Sequence, residues 1–211
     1  MLPFLWSRRD VTLRLALQHL GLTVLAVALA VIVAVPLGIV LTRKTRLVPV
    51  VMGGAGVLQT IPSLALLAFM IPVPGLGLGA RSAVAALCLY ALLPIIRNTY
   101  SGIRDVDPDL LEAARGMGLR DRELLAKVEL PLATRAIMAG IRTSTVISIG
   151  VATLAAFIGA GGLGDPIVTG LQLNDSYLIL SGALPAAMLA LCADFVLGYV
   201  ERALIPRGVR T

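Results

Sequence analysis

Charge is scarce in this chain. Of its 211 residues only 14% are Asp, Glu, Lys or Arg, against 58% hydrophobic, where a soluble domain carries about 25% charged residues. That balance excludes an ordinary water-soluble globule and predicts an all-α membrane protein, one compact bundle of spanning helices. Cysteine is limited to Cys88 and Cys192, and histidine to His19. They show no metal-like spacing, so neither a metal site nor a disulfide is expected, and both cysteines read as apolar filler inside spans. Aromatics are few, with one Trp, four Tyr and four Phe, and no aromatic cage for a cation is visible among them. The formal charge of +6 comes from basic residues at the ends of apolar runs, a pattern of membrane orientation and not of nucleic-acid binding. No Gly-x-x-x-x-Gly-Lys-Ser/Thr phosphate loop occurs, and one His with one deep Asp supplies no triad, metal set or carboxylate pair. An intramembrane enzyme is therefore not expected.

Apolar segments cover residues 18–41, 48–71, 81–103, 134–158 and 177–201, each near the ~20 residues that cross about 30 Å of hydrocarbon. Five spans in a single domain are predicted. Arg8 and Arg9 followed by an apolar run with Ala28-Leu29-Ala30 have the outline of a signal peptide. The uncharged stretch continues from Leu15 to Thr42, well beyond the roughly 7–15 residues of a secretory apolar region, so it is read as a retained span. Placing the long polar loop, residues 104–133, in the cytoplasm puts twelve of the 18 Lys and Arg residues inside and four outside. This count sets the N-terminus outside and the C-terminus in the cytoplasm. Residues 1–16, with Trp6, become an external, partly amphipathic lead-in. No internal repeat is visible. Small residues at Gly53, Gly54, Ala55 and Gly56, and at Ala183, Ala186, Ala187 and Ala190, read as close helix packing.

The polar loop spells out a short helix. Asp107 is placed to cap it, Pro108 suits its first position, and Asp109 and Glu112 put negative charge near its positive end. Gly116 and Gly118 supply the stop. A helix over 108–115 has about two turns and is marginal alone, so it needs a groove on a partner in which to lie.

Polar residues inside the spans are the remaining candidates. Thr143, Ser144, Thr145 and Ser148 sit in the cytoplasmic half of the fourth span, with Ser144 and Ser148 on one face, either lining a path or bonding to backbone. Pro62 breaks the second span between Thr60 and Ser63, as a gate or as a packing kink. Arg97, Arg142 and Asp194 lie at similar depth, and Asp194 is expected to pair with one of the two arginines as a structural clasp. His19, near the outer end of the first span, reads as an interfacial residue and not a proton relay. The Gly-rich run at 159–164, followed by Asp165 and Pro166, is expected to form an external loop.

Glu112-Ala113-Ala114, three residues, Gly118, nine residues, Val128, one residue and Leu130-Pro131 together resemble the cytoplasmic signature of permease subunits of binding-protein-dependent ABC importers. The resemblance implies that Leu111, Glu112, Ala113, Ala114, Arg115 and Gly118 meet an ABC ATPase subunit, which binds ATP and Mg²⁺ and drives the membrane helices; no cofactor is implied on this chain. Gln18-His19-Leu20, 58–64 (Leu-Gln-Thr-Ile-Pro-Ser-Leu), 92–99 (Leu-Leu-Pro-Ile-Ile-Arg-Asn-Thr) and 157–164 (Phe-Ile-Gly-Ala-Gly-Gly-Leu-Gly) are similar to the osmoprotectant branch. That branch imports glycine betaine, carnitine, choline and related quaternary ammonium compounds across the cell membrane. It implies a second permease chain, identical or related, and an extracytoplasmic binding protein met by the 159–166 loop. Five helices are too few to enclose a pore, which independently calls for a second chain. Methionine permeases share the five-span plan and stay open as an alternative. An ion-coupled secondary transporter is a further alternative, but inverted repeats and paired broken helices are lacking.

Overall fold

The computed structural model describes residues 8–204; Trp6, Arg207 and Arg210 lie outside the described residues. Helix α1 spans Arg9–Arg43, about 52 Å at 1.5 Å per residue. It starts nine residues before the expected 18, because Arg9 and Arg14 are good helix formers whose charged heads can reach water from a helix end. One stripe of α1 is buried: His19, Leu22 and Thr23, Ala26 and Val27, Ala30, Ala34, Gly38, then Leu41 and Thr42. Within that stripe Ala26, Ala30, Ala34 and Gly38 recur every four residues, so the backbone can approach its neighbour closely in lipid. At Gly38 a Cβ would lie 2.7 Å from the Thr99 Cβ. Leu25, Leu29, Ile32 and Val33 on the other side are exposed.

That neighbour is α4, Ala80–Arg104, the axis of the bundle, with α1 on one side and α7, Leu130–Ala152, on another. Glycines again set the spacing. A Cβ at Gly140 would meet the Pro94 carbonyl at 2.9 Å, and one at Gly102 would run into the Ala136 methyl. Pro94 has no N–H, so the carbonyl of Tyr90 one turn earlier loses its helical donor; the Gln59 side chain supplies one, Nε2 to O at 3.2 Å.

The expected second span is broken. Helices α2, Val48–Thr60, and α3, Ser63–Met70, meet at 101° across Ile61 and Pro62, a bend too sharp for one straight crossing. Proline forces the preceding residue out of the helical region, and Ile61 sits at φ −70°, ψ 127°. The freed Ile61 carbonyl accepts from the Tyr90 hydroxyl.

The expected polar loop is shorter than 104–133. After α5, Pro108–Gly116, the chain enters α6, Asp121–Leu124, a π-helix over Leu125–Glu129, α7, and a 3₁₀ turn over Thr153–Ile158, a nearly continuous rod over Asp121–Ile158. Its polar start is helical because Glu123 accepts from the Arg120 N–H at 3.1 Å and meets Lys127 one turn on. The segment 159–174 is no simple break either: it contains α8, Gly164–Leu173. Helix α9, Ser176–Leu204, closes the bundle against α7 and α8. Four helices are long and apolar enough to cross a membrane, and the count is five where the bent α2–α3 pair is taken as one broken span.

Candidate coupling and translocation site

Helix α5 is built as its residues dictate. The Asp107 carboxylate accepts from the Asp109 N–H at 2.9 Å, and Pro108 occupies the first turn. At the other end Gly118 has φ +86°, its N–H bonds to the Arg115 carbonyl at 2.9 Å, and the Leu119 N–H reaches back to Ala114 at 3.2 Å. This paired closure needs a left-handed residue, which is why glycine stands there. Gly118 therefore shapes the end of α5, and it stands exposed there.

The helix divides its residues between two faces. Ala114 is only 3% exposed and Leu111 is half-buried, so Ala114, and in part Leu111, pack against the chain itself. The helix needs an inward face to stay attached, and small Ala114 provides it. Glu112, Ala113 and Arg115 point to solvent. Two residues that the motif did not single out, Leu110 and Met117, are also exposed, 49% and 76%; at about 100° per residue they lie on the side of α5 away from Glu112 and Arg115, and Leu110 borders a cavity with Leu132 and Arg135. With Ala113, Leu110 and Met117 form an apolar stripe at i, i+3 and i+7, and their helical spacing was the signal available for them.

The hydroxyls of the fourth span are turned into packing. Ser144, buried, donates to the Ala91 carbonyl of α4 at 3.0 Å. Thr145 bonds to Ile141 one turn back at 2.8 Å. Ser148 is buried with no hydrogen-bond partner among the described residues. Ser144 and Ser148 share a face, as the spacing predicts, and Ser144 ties that face to α4. Thr145 lies on a different wall, that of a cavity of about 670 Å³ between α1, α7 and α9 lined by Val27, Val31, Ile141, Cys192 and Val196. Its lining includes no aromatic residue and offers no cage for a cation. At the broken second span Thr60 is exposed and bonds to Val57, Pro62 is exposed and Ser63 half-buried.

Asp194 meets Arg142 through two parallel bonds, Nε to Oδ1 and Nη2 to Oδ2, the second at 2.6 Å. Glu201 stands 3.9 Å from the same guanidinium. Gly198 makes room, since a Cβ there would lie 3.1 Å from Nη1. Arg97 is exposed and takes no part in an ion pair among the described residues.

His19 is fully buried, not interfacial. Its Nε2 contacts the Ile149 carbonyl at 3.0 Å and its Nδ1 accepts from the Leu163 N–H at 3.3 Å, which assigns the proton to Nε2. Beside it Gln18 donates to Ala160 at 3.1 Å and accepts from Gly162 at 3.2 Å. Residues 160–164 of the expected external loop are consequently buried within the chain. Gly161 and Gly162 have φ +77° and +84°, and a Cβ on Gly161 would overlap the Gln18 amide. A long-range partner of this kind leaves no local mark in sequence.

A membrane bundle that displays a short capped helix from its cytoplasmic-type polar loop has the architecture of ABC importer permeases. Its backbone superposes on the methionine ABC transporter MetNI in an inward-facing form with a TM-score of 0.83, at 21% identity, covering 95% of this chain and 99% of that one. An amino acid ABC transporter solved with histidines gives 0.74 at 19% identity, covering 93% and 95%. The chain belongs to the family of binding-protein-dependent transport system inner membrane components, matched over residues 26–207. Among its relatives are the choline transport system permease protein OpuBB of Bacillus subtilis (strain 168), 51% identical over 92% of this chain and 88% of the relative, and the carnitine transport permease protein OpuCB of Listeria monocytogenes, 52% identical over the same shares. The glycine betaine/carnitine/choline permease OpuCB of Bacillus subtilis (strain 168) is 48% identical over 100% of this chain and 96% of the relative.

Proposed function

We propose that this chain is the membrane permease subunit of an ATP-driven importer that moves quaternary ammonium osmoprotectants such as choline, carnitine or glycine betaine into the cell. The exposed apolar stripe of α5 carries the reading: a capped helix with exposed Leu110 and Met117 offers one half of a helix-in-groove contact. In this reading ABC ATPase subunits grip α5 in the cytoplasm, and ATP and Mg²⁺ bind there. A second permease chain completes the path, and an extracytoplasmic binding protein delivers solute. The N-terminus lies outside and the C-terminus inside. Movement of α5 passes into the rod Asp121–Ile158, and the bent α2–α3 pair, anchored on Tyr90, is the element free to swing.

Similarity to permeases named for choline and carnitine supports the solute class, and in this reading the choice among solutes falls to the binding protein. The test is uptake of labelled choline, carnitine and glycine betaine into proteoliposomes holding this chain, its ATPase and its binding protein. Accumulation that requires internal ATP supports the proposal. Uptake driven by a Na⁺ or proton gradient without the ATPase overturns it, and methionine uptake in place of the three solutes overturns the substrate class.

A further inference from the structure

One carboxylate outside this machinery is withdrawn from water. The Glu129 side chain is 2% exposed and pairs with Arg43 Nη2, whose own side chain is 43% exposed. Three placements make the pair more than a local clip. Glu129 closes the π-helix Leu125–Glu129, and a π turn inserts one residue per turn and re-aims the helix beyond it, a device that recurs at working sites in helices. This segment also lies near the start of the rod, directly after α6, on the route by which a displacement of the docking helix enters the membrane domain. Arg43, in turn, is the last residue of α1, which also meets the same rod through His19 on Ile149. Helix α1 is thus fastened to the rod at its last residue and again at His19, about three turns in from its start.

Resting on the importer reading above, we infer that Glu129 and Arg43 are positioning residues for energy transfer: their ion pair makes α1 travel with the rod when the ATPase moves α5. A buried carboxylate with a single charged partner is an expensive way to hold two helices if packing alone is needed. It is a directional one if a pull must be passed on.

The experiment is a transport-to-hydrolysis ratio in proteoliposomes containing the permease, its ATPase and its binding protein. In Glu129→Gln and Arg43→Gln, ATP hydrolysis stays within about twofold of the unaltered chain, while solute carried per ATP falls by about fivefold or more. The exchanged pair, Arg43→Glu with Glu129→Arg, recovers at least half of the ratio. As a second measurement, Arg43→Cys with Glu129→Cys in a Cys88→Ser, Cys192→Ser background is joined by a short bifunctional reagent, and uptake persists because the two helices move together. Uptake and hydrolysis falling in proportion, an exchanged pair no better than the single variants, or uptake abolished by the cross-link would each overturn the inference. Failure of the unaltered chain to show ATP-dependent uptake would instead strike the importer reading.

Discussion

Removing the apolar stripe of α5 separates docking from folding. Leu110 and Met117 are 49% and 76% exposed, so truncating both to Ala changes little inside the chain, within about 0.5 kcal/mol for such surface sites. Full burial of a Leu or Met side chain contributes about 2.5 kcal/mol. Scaled by the exposed fractions, burying both in a groove is worth about 3 kcal/mol, and Ala retains about a third of the area, leaving a loss of about 2 kcal/mol or about 30-fold in Kd. The assay is affinity of the solubilised permease for its ATPase subunit, with thermal stability followed in parallel. A weakening under threefold at unchanged stability would refute the stripe as the dock. Changes at the motif's own small residues discriminate less well. Ala114→Asp places a carboxylate at a site 3% exposed, and Gly118→Trp forces a bulky side chain onto φ +86°, so either disrupts α5 itself.

Other consequences arise from the same geometry. Asp194→Asn breaks the paired bonds to Arg142, and because the site is partly exposed the loss is smaller than for a fully buried pair; it is read as a lower melting temperature in detergent, and an unchanged one would remove the clasp. Gly161→Ala strains the backbone and displaces Gln18, costing about 1–3 kcal/mol, whereas Gly53→Ala, with open space around it, is tolerated; expression and thermal stability compare the two. Tyr90→Phe leaves the Ile61 carbonyl without its donor at the α2–α3 bend, worth about 1 kcal/mol. Its effect is expected in solute flux more than in melting temperature, and an unchanged flux would argue that the bend is a static kink.

The residues alone disclosed the features that local chemistry fixes. The cap at Asp107, the stop at Gly118 and the break at Pro62 are each written within a few residues, and hydropathy alone located the remaining crossings. The direction in which α5 turns its residues was not legible, because the motif gives identities while the phase of a nine-residue helix depends on what Ala114 packs against. Ser144 and Ser148 were correctly placed on one helix face, but the identity of that face's neighbour, α4, lies 53 residues away in sequence at Ala91. The same distance problem hid the Gln18 and His19 clamp and the Arg43–Glu129 pair, whose partners are separated by 142, 130 and 86 residues. Helix starts were missed where charge masked continuity, at Arg9 and at Asp121, since hydropathy sees the membrane and not the helix that continues past it.

The central claim is that a separate ATPase holds this chain by the exposed apolar stripe of α5 and drives transport through it. A single cysteine at position 117, as Met117→Cys in a Cys88→Ser, Cys192→Ser background, tests it most directly when the assembled transporter is treated with a short cross-linker in membranes. The account predicts a covalent adduct with the ATPase subunit, formed from residue 117 but not from a cysteine at the inward-facing position 114. No adduct from position 117 in a transporter that still accumulates solute with ATP would contradict it.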